Sequence, residues 1–521
     1  MRTALLSVTD KTGLADFASG LAERDFRILS TGGTARVLRE AGLSVTDVSE
    51  VTGFPEMMDG RVKTLHPVVH GGLLGLRDDS AHLDAMEVHG ISPIDLVAVN
   101  LYAFKETVAD KEIGAEEAIE QIDIGGPSMI RSAAKNHRSV WVVTDPEDYV
   151  AVLEGLDGEK EGNSEGSVAF RRRLAEKAYR TTASYDAAIA GWFREREGGG
   201  HPDTMVLEAG SGEELRYGEN PNQKASFYRT GGFAEASVAT AEQLAGKALS
   251  YNNIMDSDAA LELVKEFEGP AAAVIKHTNP CGCGVDEDII PALHKAMGGD
   301  PQSAFGGIVA VNRNVDGALA EAIAQPDRFL EVVVAPEFDS EAIEILTGRQ
   351  KWGKNLRLLA CGDLGRAREG SEFALRKVTG GYLVQDRDLG FDHEGRDVVT
   401  DRQPTDQEWN DLEFTWRVCK HVKSNAIVLG KSGAVVGVGA GQMSRVDSVF
   451  LAGMKSGEGA EGSVMASDAF FPFRDSVDRA HELGVTAVIQ PGGSIKDKDS
   501  IAAADEHGMA MVFTGARHFR H

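Results

Sequence analysis

The chain has 521 residues, 42% hydrophobic and 26% charged, which is the composition of a globular protein too long for one ordinary core; two to four domains are expected. Its 54 basic and 81 acidic side chains give a formal net charge of −27, a field that repels phosphate backbones and argues against a broad nucleic-acid surface, although a local pocket can still bind a small anion. No apolar run approaches the roughly 18 residues of a membrane span, and MRTALLSVTDKTG at the start lacks an apolar segment of signal-peptide length, so a cytoplasmic protein is expected. Cys281, Cys283, Cys361 and Cys419 complete neither a zinc spacing nor a disulfide framework, and read as reduced thiols.

Residues 3–8 read as a strand, 12–24 as an amphipathic helix and 26–29 as a second strand. The loop STGGT follows, then a helix from Ala35 closed by Gly42. Residues 95–104 and 140–145 read as further strands. Strands separated by helices predict an α/β fold with a doubly wound parallel sheet, whose ligands sit at the carboxyl ends of the strands. GLDGEKEGNSEG, residues 155–166, reads as a solvated loop. REREGGGHPD, residues 194–203, follows a long helix from about Phe170 to Phe193 and is the better domain boundary. Beyond it the alternation resumes with no internal repeat of fixed period, and residues 340–410 are charged and irregular.

Four loops in the first part carry candidate chemistry, each placed at a predicted strand end. VTDK offers Thr9, Asp10 and Lys11. STGGT offers backbone N–H groups of Gly32 and Gly33 at a helix start, an anion site by geometry and dipole. GRVKTLHP offers Arg61 and Lys63 on one face. In QIDIGGPSMIRSAAKNH, Pro127 suits a first helical turn, and Arg131 and Lys135 lie one above the other on that helix. Asn100 and Tyr102, two apart on a predicted strand, share a face. Taken singly, each has a plain structural alternative, such as a common Gly turn, a solvated helix face or a half-buried Tyr. Together they are what a phosphorylated small molecule needs.

In the second part, AAAVIKHTNPCGCG (271–284) reads as a buried strand stopping on two bases, Lys276 and His277, before a turn marked by Pro280, Gly282 and Gly284. Such a pair could converge on one ligand. LRYGENPNQKASFY supplies Arg216 and Tyr217, and DPQSAFGGIVAVNR supplies Gly306. Asn425, Arg445, the PGGS turn and Arg517 are further polar candidates, while Asp475 reads first as a helix cap. NAIVLGKSG (425–433) ends like a P-loop, but Asn425 replaces the first Gly, so it is not a phosphate-binding motif of that class.

STGGT, GRVKTLHP, NLYAF, IDIGG, AAKNH, RYGENPNQ, KHTNPCG, SAFGG, AGQMSR and SDAFFPFRD, in that order along almost the whole chain, resemble the bifunctional purine-biosynthesis enzymes that join AICAR transformylase to IMP cyclohydrolase. The resemblance implies residues 1–197 as a methylglyoxal-synthase-like cyclohydrolase domain. It implies residues 198–521 as a transformylase of two cytidine-deaminase-like α/β units. The cyclohydrolase would hold nucleotide through Thr9, Asp10, Lys11, Ser30, Gly32, Gly33, Thr34, Arg61, Lys63, Thr64, Asn100 and Gly125. Lys63, Tyr102, Asp123 and Lys135 would handle protons during ring closure. In the transformylase, His277 would be the base, imidazole being the side chain suited to proton transfer near neutrality, and Lys276 would stabilise the tetrahedral intermediate.

The same resemblance implies Arg216, Tyr217, Gly306, Glu331, Asn425 and Arg445 around AICAR, with Arg517 near its phosphate. It puts Asp475, Ser494 and Ile495 by the folate, 10-formyltetrahydrofolate. Relatives carry Asp where Glu331 stands and His where Val446 stands. A homodimer with transformylase sites at its interface, a structural potassium ion near Asp468 and no catalytic metal are also implied. Two other readings compete: a nucleotide-sensing regulator, which has little need of Lys135 and the Lys276–His277 pair, and a single-activity enzyme keeping one domain as scaffold.

Overall fold

Five short apolar strands, β1 (Arg2–Ser7), β2 (Phe26–Ser30), β3 (Val45–Asp47), β4 (Leu96–Val99) and β5 (Trp141–Val143), pair in the order β3-β2-β1-β4-β5, every pair parallel. β1 and β4 are buried along their lengths because helices cover both faces, as a parallel sheet requires. Leu5 pairs with both Leu29 and Val97 at the centre. The helix Leu14–Glu23 buries Leu14, Phe17, Ala18 and Leu21, one stripe at helical spacing, and Phe17 stacks on Tyr149 at 4.1 Å between ring centroids. Strand order reverses between β1 and β4, which opens a crevice at their carboxyl ends.

The computed structural model describes residues 1–55, 57–58, 62–110, 113–230, 235–326, 328–365, 372–391 and 394–521. Internal contacts divide the chain after Glu208 into the units Met1–Glu208 and Ala209–His521. Residues beyond Gly198 stay with the first unit because Glu208 accepts from Lys105 and Ser184 within it. Several local expectations change. The second helix starts at Gly32 rather than Ala35, and β3 is three residues long, too short for its pattern to be seen. β4 ends at Val99, so Asn100 and Tyr102 lie in the loop beyond it and do not share a strand face. Helix Tyr149–Lys160 runs through the first half of the predicted loop at 155–166, and helix Ser164–Arg196 takes up its last three residues. Gly155, in the first of these helices, leaves room for Trp141, which a Cβ there would approach to 2.7 Å and whose ring packs edge-on against Phe170.

In the second unit, β6 (Gly210–Leu215) pairs with β7 (Ala225–Arg229) as a separate hairpin. Strands β8 (Glu242–Ala245), β9 (Ala271–Lys276), β10 (Asn279–Val285), β11 (Gly307–Val311), β12 (Leu330–Ala335) and β13 (Arg357–Ala360) form one half of a large mixed sheet. A second separate hairpin joins β14 (Phe373–Val378) to β15 (Gly381–Asp386). The other half of the sheet contains β16 (Asp397–Val398), β17 (Ile427–Lys431), β18 (Ala434–Gly439), β19 (Val464–Ser467), β20 (Ala487–Gln490) and β21 (Ala510–Phe513). The 12 strands run β16-β21-β20-β19-β17-β18-β10-β9-β11-β12-β13-β8, with β10 and β18 joined antiparallel at the centre.

Read outward from that joint, the halves are the same. Each has an antiparallel hairpin, then three mutually parallel strands, then an antiparallel edge strand. The second unit is therefore a duplicated α/β fold, as the family resemblance implied, and the repeat survives in the sequence only at scattered positions. A shift of 155 positions carries Asp256 to Asp411, Lys265 to Lys420, Lys276 to Lys431, Gly282 to Gly437 and Gly284 to Gly439. The glycines recur because a helix backbone rests on the hairpin in both halves. A Cβ on Gly282 would lie 1.8 Å from the Ala296 carbonyl oxygen, and one on Gly437 would lie 2.2 Å from that of Ala452. Gly282→Ala is accordingly expected to destabilise the second unit by at least the ~1–3 kcal/mol typical of overpacking. Thermal melting measures this, and an unchanged midpoint would refute the close packing.

Candidate active sites

A cavity of about 840 Å³ opens at the carboxyl ends of β1, β2 and β4. Thr9 and Lys11 enter it from the loop after β1, Gly32, Gly33 and Thr34 from the turn after β2, and Asn100 and Tyr102 from the loop after β4. Asn100 locks two of these loops together: its Oδ1 accepts the N–H groups of Thr9 (2.5 Å) and Asp10 (2.9 Å), and its Nδ2 donates to the Asp10 carbonyl (3.0 Å). The Thr34 hydroxyl bridges to the backbone of Val8, accepting at 3.1 Å and donating at 3.0 Å. Lys63 and Thr64 line the cavity from the segment before helix Pro67–Leu74 rather than from a strand end. Gly32 has φ +52°, and a Cβ there would lie 3.0 Å from the Lys63 amine, so this glycine gives both the turn and the room for the ammonium.

The opposite wall is the start of helix Gly125–Lys135. Two helix N-termini, at Gly32 and Gly125, together with Lys11 and Lys63, give the cavity the donors and positive potential that an anion needs. Asp123 precedes the second helix and accepts the Gly126 N–H at 2.8 Å. Burial pushes its carboxyl above the ordinary range, against backbone donors of Gly126, Tyr102 and Gly125 that favour the anion. An acid that holds its proton to higher pH is suited to proton transfer.

Not every expected residue reaches this cavity. Ser30 is fully buried and donates to the Leu6 carbonyl at 2.7 Å, which makes it part of the sheet. The exposed Asp10 turns its carboxylate onto Thr12, at 2.9 Å from the N–H and 2.7 Å from the hydroxyl. Arg61 lies outside the described residues. Lys135 is exposed on the last turn of its helix, about 15 Å along the axis from Gly125 at 1.5 Å per residue. Arg131 stands over the ring of Tyr179 at 5.5 Å. Conversely, Gln121 lines the cavity unforeseen, and Tyr185 supports it: the Tyr185 hydroxyl accepts the Asp123 N–H (2.8 Å) and donates to the Gln121 carbonyl (2.9 Å). No local signal links residues 62 positions apart.

In the second unit the strand directions gather the other candidates. Lys276 and His277 end β9; Gly306 and Glu331 lie at the amino ends of β11 and β12; Asn425 precedes β17. Arg445, Asp475, Ser494 with Ile495, and Arg517 follow the carboxyl ends of β18, β19, β20 and β21. Given the pairing directions, all of these are the same edge of the sheet. Arg216 stacks on Tyr217 at 4.7 Å in the loop after β6, and that loop meets the start of helix Tyr251–Val264 through Asn252 and Glu219.

His277 and Thr278 are the two-residue turn of the β9–β10 hairpin, with Lys276 paired to Asn279. Lys276 Nζ donates to the carbonyls of Phe305 (2.9 Å) and Gly306 (3.1 Å). Lys276, His277, Asn279 and Cys281 line a cleft of about 240 Å³, closed opposite by Ser303 and the Asp300–Lys455 ion pair at 2.7 Å. Burial pushes the Cys281 thiol up to about 12, so it carries no thiolate near neutrality. Asn279 Oδ1 accepts the Lys423 N–H at 3.0 Å, which joins the hairpin to the Asn425 segment.

Arg445 is buried, with Nη1 donating to Asp468 Oδ1 (2.5 Å) and Ser467 Oγ (2.8 Å) and Nη2 to Asn425 Oδ1 (2.8 Å). Its guanidinium orders this edge from beneath. Asp468 is fully buried and spends its other oxygen on the Ser424 hydroxyl. Among the described residues no group of three or more His, Cys, Asp or Glu side chains is placed to hold a metal ion. Glu331 pairs with Arg357 at 2.7 Å, Asp475 accepts the Ser476 N–H at 2.7 Å, and Ser494 accepts the Lys496 N–H at 3.0 Å. Ile495 is fully exposed.

The C-terminal segment bearing Arg517 is pinned by His518. Its ring lies between Asp388 (2.6 Å) and Glu394 (2.5 Å), and its N–H donates to the Asp468 carbonyl at 3.2 Å. Burial disfavours the imidazolium, but the two carboxylates outweigh it and raise the His518 pKa above its ordinary 6.5. A raised pKa stabilises the fold fully below pH 6.5 and is lost as pH climbs through the folded value. His518→Gln should therefore cost about 3–5 kcal/mol below that pH, as breaking a buried pair does, and less above it. Denaturant melts at two pH values decide this; a pH-independent cost would exclude a charged His518.

A family model described as the MGS-like domain matches residues 13–128, and one described as the AICARFT/IMPCHase bienzyme matches residues 133–455. A protein of Magnetococcus marinus named bifunctional purine biosynthesis protein PurH is 56% identical over 538 residues, covering 100% of this chain and 99% of its own. A Bacillus cereus protein of the same name is 53% identical over 521 residues, covering 100% of both chains. A crystal structure of ForH is 38% identical over 37% of this chain and 98% of its own, with a TM-score of 0.32. The chain, with an MGS-like first part and full-length relatives above half identity, belongs to the AICARFT/IMPCHase bienzyme family.

Proposed function

We propose that the two activities of this bienzyme are divided between its units: ring closure in the Met1–Glu208 cavity and formyl transfer at the sheet edge bearing Lys276 and His277. The chain is a bifunctional AICAR transformylase and IMP cyclohydrolase of purine biosynthesis. In ring closure the carboxamide nitrogen of formyl-AICAR attacks the formyl carbon and water leaves. The nucleotide phosphate sits against Gly32, Gly33, Lys11 and Lys63, and Asn100 and Gly125 flank the base. Asp123, Tyr102 and Lys63 move the protons; Lys135, exposed on the last turn of its helix, does not line this cavity. The observation that carries this half is the meeting of two helix N-termini, two ammonium groups and a carboxyl of raised pKa in one cavity.

In formyl transfer the AICAR amine attacks the formyl carbon of 10-formyltetrahydrofolate, and the tetrahedral intermediate collapses to formyl-AICAR and tetrahydrofolate. His277 takes the amine proton. An ammonium has three donors; Lys276 spends two on the Phe305 and Gly306 carbonyls, which aims the third at the developing oxyanion. Arg216, Tyr217 and Arg517 are proposed AICAR contacts, and Asp475, Ser494 and Ile495 folate contacts.

Exposed Phe305, Met443, Phe473 and Ile495 rim the same edge, an apolar surface that suits folate and a second copy of the chain. A homodimer completing the transformylase site, in the cytoplasm, is the corresponding proposal, and no described helix is long and apolar enough to cross a membrane. The direct test supplies AICAR and 10-formyltetrahydrofolate and follows tetrahydrofolate and IMP separately, then supplies formyl-AICAR alone. Closure of formyl-AICAR without folate supports separate sites; a folate requirement for closure overturns them.

A further inference from the structure

We propose that Asp256 is a positioning residue for formyl transfer, its carboxylate holding the His277–Thr278 turn in the conformation that presents the imidazole. This rests on the reading of His277 as the base. The turn is unusual in its residues. His277 and Thr278 have φ of +54° and +60°, the left-handed pair that two-residue hairpins normally fill with Asn-Gly. A β-branched residue there is a genuine outlier, and such conformations persist only where the surroundings over-determine them.

The surroundings in question are one carboxylate. Asp256, from helix Tyr251–Val264, accepts the His277 N–H on Oδ2 at 3.3 Å and the Thr278 N–H on Oδ1 at 2.7 Å. The His277 carbonyl is tied as well, accepting from the Thr278 hydroxyl (2.7 Å) and Asn279 Nδ2 (3.1 Å). With both peptide groups fixed, only the side-chain torsions of His277 are left to move.

The duplicated half supplies the comparison. Its hairpin turn, Ser432–Gly433, has φ of +52° and +69°, and Asp411 accepts both N–H groups, Ser432 on Oδ2 at 3.0 Å and Gly433 on Oδ1 at 2.8 Å. Asp411 and Asp256 hold the same position in their helices, and each stands the same distance along the chain from its turn. With a glycine in the turn, that anchor secures ordinary hairpin geometry on the opposite edge of the sheet. In the first half the same anchor secures a turn that carries a base and a threonine. Without it the turn relaxes and the imidazole is displaced, which is costly because misplacement by about 1 Å can lower a rate 10²-fold.

The test uses the full-length enzyme with both activities measured on each variant. Asp256→Ala is expected to lower kcat of formyl transfer by about 10–100-fold, with KM for both substrates nearly unchanged and closure of formyl-AICAR intact. Asp256→Ala with Thr278→Gly should recover most of the lost kcat, because glycine takes the left-handed conformation without a Cβ penalty. Asp411→Ala, the matching change on the other hairpin, should leave kcat of formyl transfer near wild type. Wild-type kcat in Asp256→Ala, or a loss that Thr278→Gly does not relieve, overturns the proposal. If Asp256→Ala fails to fold, Asp256→Asn, which keeps one acceptor oxygen, replaces it under the same criteria, rescue included. Formyl transfer surviving in His277→Ala would instead remove the reading of His277 as base.

Discussion

His277→Ala is expected to lower formyl transfer by about 10²–10⁴-fold, the usual contribution of a positioned general base, while the same preparation closes supplied formyl-AICAR at the wild-type rate. The AICAR amine is a weak nucleophile, and its proton has to leave as the carbon–nitrogen bond forms. The carboxylate at the cleft, Asp300, is held in its ion pair with Lys455. Lys276 is committed to the Phe305 and Gly306 carbonyls, and the Cys281 thiol is pushed up to about 12 by burial. With the two activities divided as proposed, ring closure reports on the first unit within the same tube. Equal loss of both activities would contradict the division of labour.

Asp123→Asn should do the reverse: IMP formation falls by about 10²–10⁴-fold, tetrahydrofolate still appears and formyl-AICAR accumulates. Asn keeps the shape that accepts the Gly126 N–H but cannot exchange a proton. Burial raises the Asp123 pKa above its ordinary 3.8. The sign follows: the carboxyl keeps its proton to higher pH than a surface Asp, so the wild-type closure rate should show an ionisation displaced upward from the carboxylate range. That limb should vanish in Asp123→Asn. Normal IMP output from the variant would take Asp123 out of the chemistry.

The relation of sequence to structure is uneven in an instructive way. STGGT reads as a cavity-lining helix start because that chemistry is local: two glycines there expose N–H groups whatever the rest of the chain does. Asn100 and Tyr102 do not share a strand face, since the strand stops before them, and it is loop geometry that brings both to the cavity. Lys135 shows the converse. Its helix was foreseen, but the cavity lies at the other end of it, and distance along a helix is invisible until the ligand end is known.

By itself, the sequence determined the alternation of strand and helix, the absence of a long apolar span and the motifs that mark this family. These depend on local period, turn residues and hydrophobicity. The family resemblance implied two α/β units in the second part, but only the tertiary structure decided how their strands join in one sheet, and that NAIVLGKSG is the sister of the hairpin bearing His277 rather than a failed P-loop. Only it could give Asp256, Tyr185 and Arg445 their work. Apolar strand residues interchange with little cost, which erases a repeat from the sequence, and a carboxylate finds its N–H partners across many residues of chain. What survives at both positions is the geometry: an aspartate beneath a left-handed turn and a glycine beneath a helix.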